Sequence, residues 1–371
     1  MLHPTIDSRA ENGRIYNDFS ITVATVNGSG SQTSNTTIMR ALFRMGIPIS
    51  GKNLFPSNIQ GLPTWYTMRL SEAGFLARKD DQEIIIAMNP ATFERDQNNV
   101  IAGGAFFYDD SIKLPITRND IATYPMPVKQ MVRDSGAAST LRDYIANMVY
   151  VGVLAQLLNI EMKRIYQVKG KQKAIDLNWG VVKASADWAA ENLQKKDPYY
   201  VRSTDKTDGY ILADGNTAAA LGSLYGGLQF CGWYPITPAT SLVESVIEYL
   251  PIFRKDPVTG KNTCAVIQAE DELAAIGMII GAGWSGLRAM TSTSGPGISL
   301  MTEFVGLAYF AEVPVVIWDV QRVGPSTGLP TRTSQGDLLQ VYYSGHGDKQ
   351  HVIVLPGSVT ECFEFGWKSF D

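Results

Sequence analysis

The sequence predicts an α/β protein of two domains, each an open sheet flanked by helices, and three observations point that way. A chain of 371 residues is too long for one ordinary domain and fits two of about 150 residues each. Short apolar runs of strand character alternate with segments whose apolar residues recur at helical spacing. A polar stretch, QKKDPYYVRSTDKTDG, separates two such series. The expected division is a tail over 1–17, a first domain over 18–193, a linker over 194–209 and a second domain over 210–371.

Composition narrows the function classes. With 45% hydrophobic and 18% charged residues the chain reads as globular and able to bury two cores. The formal net charge is −4, from 32 basic and 36 acidic residues without long runs of either sign, which argues against a nucleic-acid or anionic-membrane surface. Cys231, Cys264 and Cys362 lie far apart and supply neither a disulfide framework nor the four thiolates of an iron–sulfur cluster. The N-terminus carries Asp, Glu and Arg where a signal peptide needs an apolar core, and no run reaches the ~18 apolar residues of a membrane span. The expected location is the cytoplasm.

The first domain opens on a strand, ITVATVNGSG from Ile21, that runs into a glycine turn and then a helix. Ser34, Asn35 and Thr36 are expected to cap that helix, Ile38, Leu42 and Met45 to form its apolar stripe, and Gly46 to close it. A strand, a glycine turn and a helix N-terminus suit an anion, because backbone N–H groups and the helix dipole converge there. Gly28 and Gly30 are present but Thr33 stands where a dinucleotide fingerprint has its third glycine. A dinucleotide, another phosphate-bearing ligand and a plain tight turn therefore all remain open. Strands EIIIAMN and GAFFYDD and the helical run YIANMVYVGVLAQLLNI complete the unit.

The second domain begins with DGNTAAALGSLYGGLQF, a helix with Leu221, Tyr225 and Leu228 on one face and small residues that let another backbone approach. GWYPITPATS follows, two prolines holding Thr237 in a rigid turn with its hydroxyl outward. A helix with Leu242, Val246 and Tyr249 on one stripe leads to the strand CAVIQA and then to AEDELAAIGMIIGAG. Glu270 sits where that strand meets the next helix, a position a simple N-terminal acid also favours, and Asp271 and Glu272 would serve the helix dipole equally. The helix is rich in Ala and Gly, so its start should press against something bulky. The strand RAMTSTS, a turn at Gly295 to Gly297 and another helix follow. VPVVIWDVQR reads as a buried parallel strand that delivers Arg322 to its carboxyl end, where open α/β sheets bind ligands.

Thr237, Glu270 and Arg322 thus fall at loop ends on one expected edge, as a site for an organic anion with a carboxylate able to exchange a proton. Histidine chemistry has little support: His3 lies in the tail, and His346 and His351 fall in the loop GHGDKQH. No metal site is expected in this chain.

DGNTA, YPITPAT, AEDELAAIG, TSTSGPG and VQR, in that order, resemble the pyrimidine-binding domain of thiamine-diphosphate 2-oxoacid:ferredoxin oxidoreductases. GSGSQTSNTTIMRALFRMGIPISGKNLFPSNIQGLPTW resembles the gamma-type domain fused ahead of the alpha domain in the 2-oxoglutarate-type enzymes. The resemblance runs from about Ile21 to Asp371. It implies that Pro235 and Thr237 lie beside the thiamine, that Glu270 bonds the aminopyrimidine nitrogen and so promotes loss of the thiazolium proton, and that Arg322 pairs with the substrate carboxylate. Ser241, one turn beyond Thr237, is expected to reach the substrate too.

The same resemblance implies oxidative decarboxylation of a 2-oxoacid to an acyl-CoA, or the reverse, with ferredoxin as electron partner and coenzyme A as co-substrate. Magnesium, the diphosphate site and the iron–sulfur cluster are expected on a separate beta subunit. The fused order and FPSNIQGLPTW favour 2-oxoglutarate over pyruvate or a branched-chain 2-oxoacid. A non-catalytic assembly subunit is the alternative of a different class. Alpha subunits of this type continue into another α/β domain, so a chain ending at ECFEFGWKSFD is expected to be truncated.

Overall fold

The computed structural model describes residues 10–54, 61–166, 172–325 and 331–371. It divides into two compact units, Met1–Leu212 and Ala213–Asp371. His3 and residues 55–60 of the FPSNIQGLPTW segment lie outside the described residues.

The first unit runs β1 (Ala10–Glu11), β2 (Arg14–Tyr16), β3 (Asp18–Val26), α1 (Ser31–Arg44), β4 (Ile49–Leu54), β5 (Pro63–Ser71) and β6 (Gln82–Ala87). It continues with α2 (Phe93–Asn98), β7 (Val100–Asp109), β8 (Ala122–Met126), α3 (Val128–Asp134), α4 (Arg142–Leu158), α5 (Met162–Ile165), α6 (Gln172–Asn192) and β9 (Tyr199–Tyr200). Its main sheet has the order β4-β5-β3-β6-β7-β8. β3, β6, β7 and β8 are parallel and β5 pairs antiparallel with β3 and β4. α4 is apolar nearly all round and buried along almost its whole length, as expected of a helix at the centre of a core.

Two expectations change in this unit. α1 starts at Ser31, and its N-cap is Gly30 in the left-handed conformation, without a side-chain cap. Ser34 and Asn35 lie inside the helix and are buried, and Asn35 accepts the Tyr150 hydroxyl at 2.8 Å. The glycine turn itself redirects the chain, so no capping side chain is needed there. The polar stretch expected as a linker is instead packed on the first unit. β9 pairs with β2, Val201 is buried, Lys195 Nζ meets Asp197 Oδ1 at 2.8 Å, and Thr204 N–H donates to Met45 O at 2.8 Å. Several of its polar groups are paired with the first unit, which a composition-based reading cannot show.

The second unit runs α7 (Gly215–Tyr225), β10 (Phe230–Trp233), α8 (Thr240–Phe253), β11 (Ala265–Gln268), α9 (Glu272–Trp284), β12 (Ala289–Thr293), α10 (Gly295–Phe310), β13 (Val316–Asp319), α11 (Leu338–Tyr342) and α12 (Val359–Lys368). Its sheet is wholly parallel, in the order β11-β10-β12-β13. The chain leaves β10 for β11 on one side and later returns to β12 on the other. The reversal puts a switch point between the carboxyl ends of β10 and β12, where such sheets bind ligands.

The small residues of α7 and α9 have the use their composition suggests. A Cβ on Gly222 would stand 2.1 Å from Phe363 O of α12, and Gly277 of α9 faces the Phe304 ring of α10. On α7 it is Leu224, not Tyr225, that is buried; Tyr225 is exposed and meets Phe363 and Trp367. Gly295 to Gly297 form the first turn of α10 rather than a separate turn, with Ser294 at the N-cap. β13 is parallel as expected but only half-buried, not buried as its apolar sequence predicts, because it is an edge strand of the sheet.

Candidate functional site

The turn after β10 is held from two sides. Asn216, in the first turn of α7, donates through Nδ2 to Pro238 O at 3.0 Å and to Ser241 Oγ at 2.8 Å. Asp214 caps the same helix by accepting Thr217 N–H at 2.9 Å, which sets Asn216 in place. The DGNTA segment therefore builds the turn that presents Thr237. From β12, the buried Ser292 hydroxyl reaches Ala239 O at 3.4 Å. Thr237 is partly buried and the Thr237–Pro238 peptide is cis. Its carbonyl is engaged, while its hydroxyl has no partner among the described residues.

The engaging group is Arg322, three residues beyond β13. Its Nη1 donates to Thr237 O at 2.8 Å, so the structure brings together two residues separated by 85 positions. Arg322 is 4% exposed, and its Nε is buried without a partner among the described residues. Burial lowers the Arg322 pKa, and the charges of Glu272 and Asp337 oppose that shift. Glu272 is buried in the first turn of α9, its Cγ 3.0 Å from where a Cβ on Gly297 would lie. Asp337, at the N-cap of α11, is buried as well, and its own N–H donates to Gln321 Oε1 at 3.0 Å. Asp319, the last residue of β13, has both carboxylate oxygens buried and unpartnered, and burial with the charge of Asp337 pushes its pKa up to about 7.

Glu270 stands apart from this cluster. It is exposed in the bend between β11 and α9, and its carboxylate has no partner among the described residues. The cap of α9 is Asp271, whose Oδ1 accepts Ala274 N–H at 2.7 Å, so Glu270 is not the helix-capping acid. Pro235 and Ser241 are exposed, with Ser241 already bonded to Asn216. The histidines do not join the site: His346 Nε2 lies 2.9 Å from Glu303 Oε2 on the surface, and His351 Nε2 lies 2.8 Å from Ser344 O.

Sequence reasoning missed Glu272, Asp337, Asp319 and Asn216. For Glu272 the signal was available, since it is the acid that begins the apolar face of α9. Asp337 carried none beyond an acid before an apolar pair. In the first unit, the Gly28–Gly30 turn opens on a 340 Å³ cavity lined by Thr25, Ser31, Gln32, Asn35, Asn53 and Tyr66, among others. Most of its lining residues carry polar side chains, and the N-cap and first residues of α1 are among them.

Residues 221–371 match the family described as pyruvate flavodoxin/ferredoxin oxidoreductase, thiamine diphosphate-binding, and residues 20–188 match the pyruvate ferredoxin/flavodoxin oxidoreductase family. The alpha subunit of 2-oxoacid:ferredoxin oxidoreductase 1 from Sulfurisphaera tokodaii is 31% identical over 384 residues, covering 91% of this chain and 60% of that protein. The 2-oxoglutarate synthase subunit KorA of Methanocaldococcus jannaschii is 45% identical over 157 residues, 42% of this chain and 40% of that one. A solved 2-oxoglutarate:ferredoxin oxidoreductase from Magnetococcus marinus, with 2-oxoglutarate, coenzyme A and succinyl-CoA bound, superposes with a TM-score of 0.84 at 32% identity. It covers 95% of this chain and 61% of its own. The chain thus spans about 60% of the length of the full-length curated relatives it matches. With the expected motifs on matching elements and nine-tenths of the chain aligned, the protein belongs to the alpha-subunit family of the 2-oxoacid:ferredoxin oxidoreductases.

Proposed function

We propose that this chain is the alpha part of a thiamine-diphosphate-dependent enzyme that oxidatively decarboxylates 2-oxoglutarate to its acyl-CoA and carbon dioxide with ferredoxin as electron acceptor, or runs the reverse. The observation that carries it is the buried Arg322 at the switch-point crevice, anchored through Nη1 to Thr237 O with Nε left unpartnered. A guanidinium with a free fork edge fits a planar carboxylate, since it can donate two charge-assisted bonds. 2-Oxoglutarate is preferred because the KorA relative and the superposed structure are named for it. When bound, thiamine diphosphate supplies the nucleophilic carbon and the electron sink that decarboxylation of a 2-oxoacid requires.

On this reading Arg322 fixes the substrate carboxylate and the Thr237 hydroxyl orients the adjoining oxo group, with Pro235 shaping the turn. The carboxylate that bonds the aminopyrimidine is assigned to Glu272 rather than Glu270. Glu272 is buried beside the arginine cluster, whereas Glu270 faces away into solvent. Phosphates of coenzyme A, which is bound in the Magnetococcus structure, suit the glycine turn and helix start that line the cavity at Gly28–Gly30. Magnesium and the iron–sulfur cluster are assigned to a beta subunit, with ferredoxin as the partner beyond it.

The test is hydrogen–deuterium exchange at the thiazolium carbon of thiamine diphosphate in the assembled enzyme. Glu272→Gln is expected to slow exchange by about 10²- to 10⁴-fold, the usual cost of lost general acid–base assistance, while Glu270→Gln leaves it near wild type. Unimpaired exchange in both variants would remove the carboxylate from the mechanism.

A further inference from the structure

We propose that Asp337 is a positioning residue for this reaction: it lashes the Gln321–Arg322 segment to the start of α10 and thereby sets where the Arg322 guanidinium meets a substrate carboxylate. The inference rests on the reading of Arg322 given above. Asp337 and the strand end are tied through the main chain. The Asp337 N–H donates to Gln321 Oε1 at 3.0 Å, and the Arg322 backbone opposes the upward shift that burial gives the Asp337 carboxylate. A second tie comes from α10. A Cβ on Gly295 would lie 2.5 to 2.7 Å from the three carboxylate atoms of Asp337, so the carboxylate occupies the space this glycine leaves. There it meets the positive end of the α10 dipole. Gln340 of α11 adds bonds to Ser299 Oγ at 2.6 Å and Gly295 O at 3.4 Å, which keep the two helices in register.

The chemistry of the pair explains why an acid stands there. Asp337 is 8% exposed and its Oδ2 is buried without a partner, a costly arrangement for a carboxylate held only for packing. The cation whose charge favours its ionised form is Arg322, which is also buried and whose guanidinium donates to Thr237 O. Asp337 therefore holds the segment from which Arg322 extends against the start of α10, and its charge favours the Arg322 cation. Glu272, the other acid whose charge acts on Arg322, comes from α9.

Because Arg322 holds its carboxylate equally before and during reaction, displacing it should raise KM and spare kcat. In the assembled enzyme, with the 2-oxoacid varied and the other components saturating, Asp337→Asn is expected to raise KM by about 5- to 30-fold with kcat within about twofold. In an Arg322→Gln background the same substitution should add less than about twofold, since its effect runs through the arginine. A change below twofold in the native background, or the same full factor in both backgrounds, overturns the proposal. If Asp337→Asn does not fold, Gly295→Ala decides, because it crowds the carboxylate and keeps its charge; a raised KM supports the proposal and an unchanged one overturns it. Arg322→Gln alone separates the two levels. If it leaves KM unchanged, the functional reading falls and this inference with it; if it raises KM while Asp337→Asn does not, only the inference falls.

Discussion

Arg322 is the residue on which the site turns, and its burial makes its contribution measurable. Arg322→Ala removes a charge-assisted interaction of roughly 1.5–3 kcal/mol, so kcat/KM for the 2-oxoacid should fall by about 10- to 150-fold in the assembled enzyme. Thr237→Val keeps the carbonyl that anchors the arginine and removes only a neutral hydroxyl, with an expected loss of about 0.5–1.5 kcal/mol. Asp319 gives a prediction on stability. Its ordinary value of 3.8 is pushed up to about 7 in the folded chain by burial and by Asp337. The folded state therefore binds more protons than the unfolded one between those values, and stability falls as pH rises through that window. Asp319→Asn should abolish this dependence, with a gain over wild type of roughly 2–4 kcal/mol at pH 8 that fades towards pH 4. Denaturant titrations of the purified chain at pH 5 and pH 8 check it; an equal difference between the two proteins at both pH values would show that Asp319 is already ionised. Thr237 and Arg322 were legible as residue types at loop ends, while Glu272 was obscured by two neighbouring acids equally suited to a helix start.

Among the elements, α7 does two jobs that its small residues make possible. One end carries Asn216 to the Thr237 turn, and the other lets α12 approach at Gly222. A methyl group at Gly222 meets backbone, not a yielding side chain, so Gly222→Ala is expected to cost roughly 1–3 kcal/mol in a denaturant melt. Asn216→Ala leaves that contact intact and frees the turn, so its effect should fall on substrate KM rather than on stability. The glycine turn ahead of α1 is the counterpart in the first unit. Gly30 has φ +79°, and a Cβ there would stand 2.4 Å from the Tyr144 ring. The strand and helix periodicities made these elements readable, but the starting residue of α1 was not, because a left-handed glycine ends the turn without the capping side chain that sequence patterns seek.

At the scale of the whole molecule the expected behaviour is dependence on a partner. An iron–sulfur cluster needs about four thiolates. This chain has three cysteines, of which Cys231 and Cys264 are buried with their thiols pushed up by desolvation. The purified chain should therefore not reduce a viologen dye with 2-oxoglutarate, thiamine diphosphate and coenzyme A, and should gain that activity with a beta subunit. Turnover by the chain alone would refute the division of labour. Among the described residues no helix is long and apolar enough to cross a membrane.

The sequence by itself determined the alternation of strands and helices, the parallel character of the second sheet and the delivery of Thr237 and Arg322 to strand ends, because these follow from local periodicity and from turn chemistry. Its ordered motifs also determined the family. Only the tertiary structure decided that β13 is an edge strand, that the polar stretch after α6 is wall rather than linker, and that Glu272 and Asp337 face Arg322 while Glu270 does not. These outcomes depend on which strands become neighbours and on where one helix's glycine leaves room for another segment's carboxylate. Such contacts join residues tens of positions apart, and no local pattern of residues encodes them.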